Sequence, residues 1–254
     1  MFTKAHVLKN TLSGVIFCAM LSCIGHAKAA QLPELVLNDS NDPPFTQADG
    51  KGFLDVVAGE AFRRAGVKLR LVKLPAERAL LNANAGIEDG ELSRIVGLER
   101  QYPNLVRVLE KIGDWEFSAF SRDAAISTNL DVLRQHPIGH IKGWKIYEGM
   151  MAGAPTVVTA EDSTQLFRLL DLRRVEVVLY MRWMGLAKIR EQGLHGIVLL
   201  EPPLATREMF IYLHKRHIDL APKIAAALRD LKKEGFYQRQ FREKVLISVE
   251  PHRK

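Results

Sequence analysis

Leu35-Val36-Leu37-Asn38, then Pro43-Pro44-Phe45, then Gly50-Lys51-Gly52-Phe53-Leu54-Asp55: this succession decides how the 254-residue chain folds. The first four residues make a short apolar run of strand length, and the prolines after it cannot continue a sheet ladder. Phe53, Leu54, Val57, Ala58, Ala61 and Phe62 then recur at three- and four-residue spacing, which is one face of a helix, and Gly66 follows as its stop. Strand, loop and helix in such close order form the opening unit of an α/β fold.

The same alternation continues downstream. Val67 to Val72, Leu105 to Val108, Phe117 to Phe120, Val175 to Tyr180, Ile197 to Leu200 and Met209 to Leu213 read as further strands. Pro75 opens a helix that Gly86 closes, and Asp162 or Ser163, with Gln165 three residues beyond Asp162, caps a helix running to Leu170. Ala221 to Leu231 is helical, and Gly235 separates it from a last helix through Phe241. Strands alternating with helices predict mainly parallel sheets.

Working outward to the N-terminus, Lys4 and Lys9 precede the apolar run Leu12 to Ile24, which falls short of the ~20 residues of a spanning helix. With Ala27-Lys28-Ala29 behind it, this is the layout of a signal peptide over residues 1–29, cleaved after Ala29, which predicts a periplasmic location; a lipoprotein site at Cys23 is the alternative. Both cysteines, Cys18 and Cys23, lie in that segment, so the mature chain has neither a disulfide framework nor a thiol nucleophile. Losing Lys4, Lys9 and Lys28 lowers the formal net charge from +7 to +4, too mild for a nucleic-acid binder. The remaining chain, about 225 residues, suffices for two lobes of ordinary size.

The order of these motifs over residues 35 to 247 resembles the type 2 periplasmic solute-binding family, in its polar amino-acid-binding branch. The family's opening strand, Pro-Pro-Phe loop and glycine-led helix match the segments quoted above. Its arginine-bearing segment matches Gly97-Leu98-Glu99-Arg100 followed by Asn104 to Val108. Its second lobe opens with a strand and a glycine-led helix, matched by Ile138-Gly139-His140-Ile141-Lys142-Gly143-Trp144. The resemblance implies two α/β lobes joined by two hinge strands, with crossovers near 112–117 and 206–211. Lobe 1 is then discontinuous, residues 30–114 and 211–254, and lobe 2 spans 115–210. A small solute binds between them at the carboxyl ends of the strands.

Candidate ligand-binding residues follow. The resemblance assigns Arg100 to a ligand carboxylate, for which a planar guanidinium fork is suited. Strand alternation in Gly90-Glu91-Leu92-Ser93-Arg94 sends Leu92 and Arg94 to one side and Glu91 and Ser93 to the other. Arg94 and Arg78, just after the Pro75 loop, are additional cationic candidates. Phe45 and Trp144 are candidate apolar walls, one from each lobe. Lys142 and Gly143 precede a helix whose free amides suit an anion. Amino-acid binders of the family carry an acid after the strand matching Val175 to Leu179, yet here the chain reads Tyr180-Met181-Arg182-Trp183. Tyr180 and Arg182 in that place point to an anionic solute without an amine.

No nucleophile elbow, phosphate loop or dinucleotide fingerprint is present, so neither enzyme activity nor a cofactor is expected. His214 and His217 lack a third zinc ligand in the sequence. The expectation is a monomeric binder of a small anionic solute, working with a membrane permease or a sensor. Two alternatives stand beside it: a dehydratase-like enzyme with Glu91 as its acid or base, and a ligand-less scaffold whose cleft is filled by its own side chains.

Overall fold

Alternating burial in Leu35 and Leu37 sets the first strand, β1 (Glu34–Asp39), against its neighbours in the computed structural model, which describes residues 32–249. The signal-peptide reading of residues 1–29, with both cysteines, lies outside the described residues. Helix α1 (Phe53–Arg64) buries the six residues of the stripe read above, and full burial of a phenylalanine such as Phe53 contributes roughly 2–3 kcal/mol. Gly52 is required at its start, since a Cβ there would sit 2.6 Å from the Phe45 carbonyl oxygen.

The chain continues through β2 (Lys68–Lys73), α2 (Ala76–Ala85), β3 (Gly90–Ile95), β4 (Leu105–Arg107) and β5 (Gly113–Ser121). It then forms α3 (Leu130–Leu133), β6 (Ile138–Ile141), α4 (Lys145–Met150), β7 (Val157–Ala160), α5 (Ser163–Asp171), β8 (Val177–Met181) and α6 (Arg182–Glu191). A 17-residue strand, β9 (Val198–His214), leads to α7 (Ala221–Lys233) and α8 (Phe236–Phe241). Among the described residues no helix is long and apolar enough to cross a membrane.

One curled sheet links the whole, in the order β2-β1-β3-β9-β5-β8-β6-β7, with β4 also paired to β9. The outer pairs are parallel, β1 with β2 and β3, and β6 with β7 and β8. The central pairs are antiparallel, because β5 and β9 run in opposite directions between the two halves, Gly113 facing Met209 and Phe117 facing Ala205. The expectation of mainly parallel sheets is therefore corrected to a mixed sheet. The two strands read at 197–200 and 209–213 are one continuous strand. Pro202 and Pro203 fall where the β5–β9 register shifts between Phe117 and Ala119, so the missing amide donors interrupt no ladder.

Helices α1, α7 and α8 pack over the β1 half, while α5 and α6 pack over the β8 half. The apolar core is continuous from Leu37 and Phe53 through Trp115 and Phe117 to Phe167 and Tyr180.

Candidate functional site

Two chambers open between the halves of the sheet, sharing Ser40, Asn41 and Trp144. The smaller, about 50 Å3, lies against Ser93, Arg94, Trp115 and Phe117 on one side and Gly143, Trp144 and Lys145 on the other. The larger, about 330 Å3, is lined by Asp39, Asp42 and Lys73 from the first half and Trp144, Glu161, Asp162, Ser163 and Tyr180 from the second.

Arg94 owes its place to a bulge in β3. The ladder to β9 shifts register between Glu91 and Arg94, so Ser93 and Arg94 line the same chamber, contrary to simple alternation. The Arg94 side chain is 10% exposed; its Nε donates to Glu91 Oε2 at 2.8 Å and its Nη2 to the Ala76 carbonyl at 3.1 Å. Glu91 is 1% exposed and lines neither chamber, and its Oε1 has no partner. Burial pushes its carboxyl up to about 7, against the pull of Arg94.

The floor of the larger chamber is a polar knot at the end of β1. Asp39, 1% exposed, accepts from the Asn41 amide at 2.9 Å, Asn41 Nδ2 at 2.7 Å, Thr46 Oγ1 at 2.6 Å and Lys73 Nζ at 2.6 Å. Asp42 reaches across the cleft: its Oδ2 accepts from Tyr180 Oη at 2.6 Å and from Ser163 Oγ. Burial and the Asp42 carboxylate hold the Tyr180 phenol well above its ordinary range, so it stays the donor. Trp144 stacks on Tyr180 with centroids 4.9 Å apart and on Tyr147 at 5.9 Å, which fixes its ring as a wall of both chambers.

The other candidates fall elsewhere. Phe45 is 1% exposed and packs edge-on to Phe53 and Trp115 in the core, lining neither chamber. Arg78 on α2 and Arg100, in the 3-10 turn Leu98–Arg100, are exposed and outside both linings. Lys142 is exposed and likewise outside them. Gly143 lines the smaller chamber, but its amide donates to Glu148 Oε1 at 2.8 Å and α4 has six residues, so the anion-binding helix start is replaced by an internal cap. Arg182 turns away to Glu116 at 3.0 Å and Glu201 at 2.6 Å, pinning β5 to β9.

The reasoning from sequence missed Asp39, Asn41, Asp42, Ser163 and Trp115. It also held that no carboxylate serves the Tyr180 position, whereas the Asp42 carboxylate stands there. The only sequence sign was the pair of acids flanking Ser40-Asn41 before the double proline.

No protein-family model matches the chain. An uncharacterized protein of Shewanella oneidensis is 24% identical over 268 residues, which span 96% of this chain and 97% of that protein. A histidine kinase sensor domain with similarity to periplasmic binding proteins shares the fold with a TM-score of 0.73 at 17% identity, over 84% of this chain and 96% of that one. An amino acid ABC transporter substrate-binding protein from Streptococcus pneumoniae, bound to L-arginine, has a TM-score of 0.71 at 15% identity, over 86% of this chain and 97% of that one. The fold is thus the periplasmic-binding-protein-like type 2 fold, two α/β lobes joined by two hinge strands.

Proposed function

On this two-lobed fold we propose that the chain is a solute-binding protein, not an enzyme, which closes around a small organic solute presenting a carboxylate or other anion to Arg94. The observation that carries the reading is Arg94 itself, a nearly buried guanidinium lining a chamber walled by Trp115 and Phe117 of β5 and by Trp144 of the second half. A cavity of about 50 Å3 has room for a carboxylate-sized group, and the adjoining 330 Å3 matches the lower end of small-molecule sites. In this reading residues 30–114 and 211–254 form lobe 1, residues 115–210 form lobe 2, and the mature monomer works in the periplasm. A membrane permease or a sensor then recognises the closed state.

A second ligand class is favoured by the larger chamber. Asp39, Asp42, Glu161 and Asp162 offer partners to an ammonium or guanidinium, so a zwitterion with its carboxylate at Arg94 fits the two chambers together. The enzyme alternative loses support because Glu91 lines neither chamber, and the scaffold alternative because the larger chamber stays open.

The experiment is a thermal-shift screen of carboxylates with and without an amine, on the wild type, Arg94→Ala and Arg100→Ala. Ligand at ~100-fold excess over Kd adds about 2.7 kcal/mol, a shift of several degrees. Carboxylates are expected to stabilise the wild type and Arg100→Ala but not Arg94→Ala. Stabilisation that survives Arg94→Ala, or that Arg100→Ala removes, overturns the placement of the anion. Preference for the amine-bearing members decides between the two ligand classes.

A further inference from the structure

The acid beneath Arg94 is only half satisfied. Glu91 accepts from Arg94 through Oε2, while Oε1 is buried without a partner. Asn38, its register partner on β1, has a buried Oδ1 in the same condition, because its Nδ2 is committed to the Ala79 carbonyl at 2.9 Å and Glu88 at 3.3 Å. Both are buried acceptors without a donor, and a neutral carboxyl at Glu91 tolerates that burial better than a carboxylate does.

The charged and titratable groups around Glu91 come from four strands. Arg94 shares its strand β3, and β1 brings Asp39, which adds to the repulsion of a negative Glu91. Lys73 of β2 is held to Asp39 at 2.6 Å, and Glu88 is reached through the Asn38 amide. Tyr212 of β9 stands opposite in register, but its hydroxyl donates to the Ile95 carbonyl at 3.1 Å. Helix α2 offers only the Ala76 carbonyl to Arg94. Among these groups Arg94 is the cation in direct contact and the main support of the ionised Glu91, with a smaller one from the Asn38 side chain.

We propose that Glu91 is the proton-exchanging counter-ion of Arg94: a carboxylate that enters the smaller chamber takes over the guanidinium, Glu91 takes up a proton from solvent, and anion binding is coupled to proton uptake. The inference rests on the reading of Arg94 as the anion-holding group. The charge balance closes, since one bound anion and one proton leave the buried net charge as it was. Burial already holds the Glu91 carboxyl at about 7, so the exchange falls in an ordinary working range. Anion affinity then falls as pH rises.

The test is carbon-13 carboxyl NMR on the isotopically labelled protein with acetate as probe. The Glu91 resonance is identified by its absence in Glu91→Gln, or by its displaced midpoint in Arg94→Lys should that variant not fold. The Arg94 Nε–H signal reports acetate binding separately. The expected result is a Glu91 midpoint raised by about one pH unit at saturating acetate. Acetate would also bind roughly fivefold more tightly at pH ~6 than at pH ~8 in the wild type, with that dependence lost in Glu91→Gln. Acetate that moves the Arg94 signal and leaves the Glu91 midpoint in place overturns the coupling while the anion reading stands. Acetate that moves neither overturns both.

Discussion

Replacing Glu91 by Gln should flatten the dependence of stability on pH. Burial lifts the folded-state carboxyl from 4.5 to about 7, so the folded chain holds its proton more tightly than the unfolded chain does. The resulting stabilisation is fully present below the unfolded value of 4.5 and is lost as pH rises through about 7. At about 1.4 kcal/mol per pH unit the interval amounts to about 3 kcal/mol, with little solvent screening because the side chain is buried. Glutamine keeps the shape, still offers Arg94 an oxygen and does not titrate. The weaker pairing that the glutamine oxygen gives the Arg94 guanidinium lowers the variant's stability by a constant that does not enter the slope. Urea unfolding at intervals from pH ~4.5 to pH ~8 measures this directly as the difference between wild type and variant. The wild type should lose about 3 kcal/mol relative to Glu91→Gln across that range. A difference that stays constant with pH would refute the argument, since it would mean that Glu91 titrates alike in both states.

Two further outcomes concern closure. Asp42→Ala removes the acceptor shared by Ser163 and Tyr180, and charge-assisted bonds of this kind, half-buried, are worth about 2 kcal/mol together at the low end. Ligand-free protein should then populate the open form roughly 30-fold more, seen as a larger radius of gyration by small-angle scattering; an unchanged radius counts against the bridge. Gly143 has φ of 82° and a Cβ there would stand 2.6 Å from the Glu77 amide nitrogen on the opposite half. Gly143→Ala should cost about 1–2 kcal/mol in backbone strain and prevent that approach, so the variant keeps its circular dichroism but loses solute-induced stabilisation. Wild-type affinity in this variant would show that the approach is not part of binding.

The fold was legible because its signals are local. The α1 stripe, the left-handed Gly86 at the end of α2 and the Asp162 cap of α5 each depend on residues within a turn or two. The site was less legible because its geometry comes from distant partners. Asp42 is a lone acid in a proline loop until Ser163 and Tyr180, 121 and 138 residues away, come to meet it. Arg94 and Glu91 look like residues of opposite faces until the bulge in β3 places them in contact. Arg182 looks like a cleft cation after β8, yet Glu116 and Glu201 claim it from two other strands. Arg100 carries the family's spacing, but its short turn leaves it in solvent.

The path of β9 has a consequence for how the chain is made. Strand β3 ends on β9 residues 209–213, and β4, whose described pairing is with β9 alone, meets residues 212–214. A growing chain that has emerged as far as β5 therefore holds β1, β2 and β3 with one flank unpaired and β4 with no neighbour at all. The first half of the sheet waits for nearly all of the second to be synthesised before it can close. Until residue 214 is free, two strand edges remain open to wrong partners, which makes this a chain that folds late, as a whole, and benefits from being kept unfolded until it is complete.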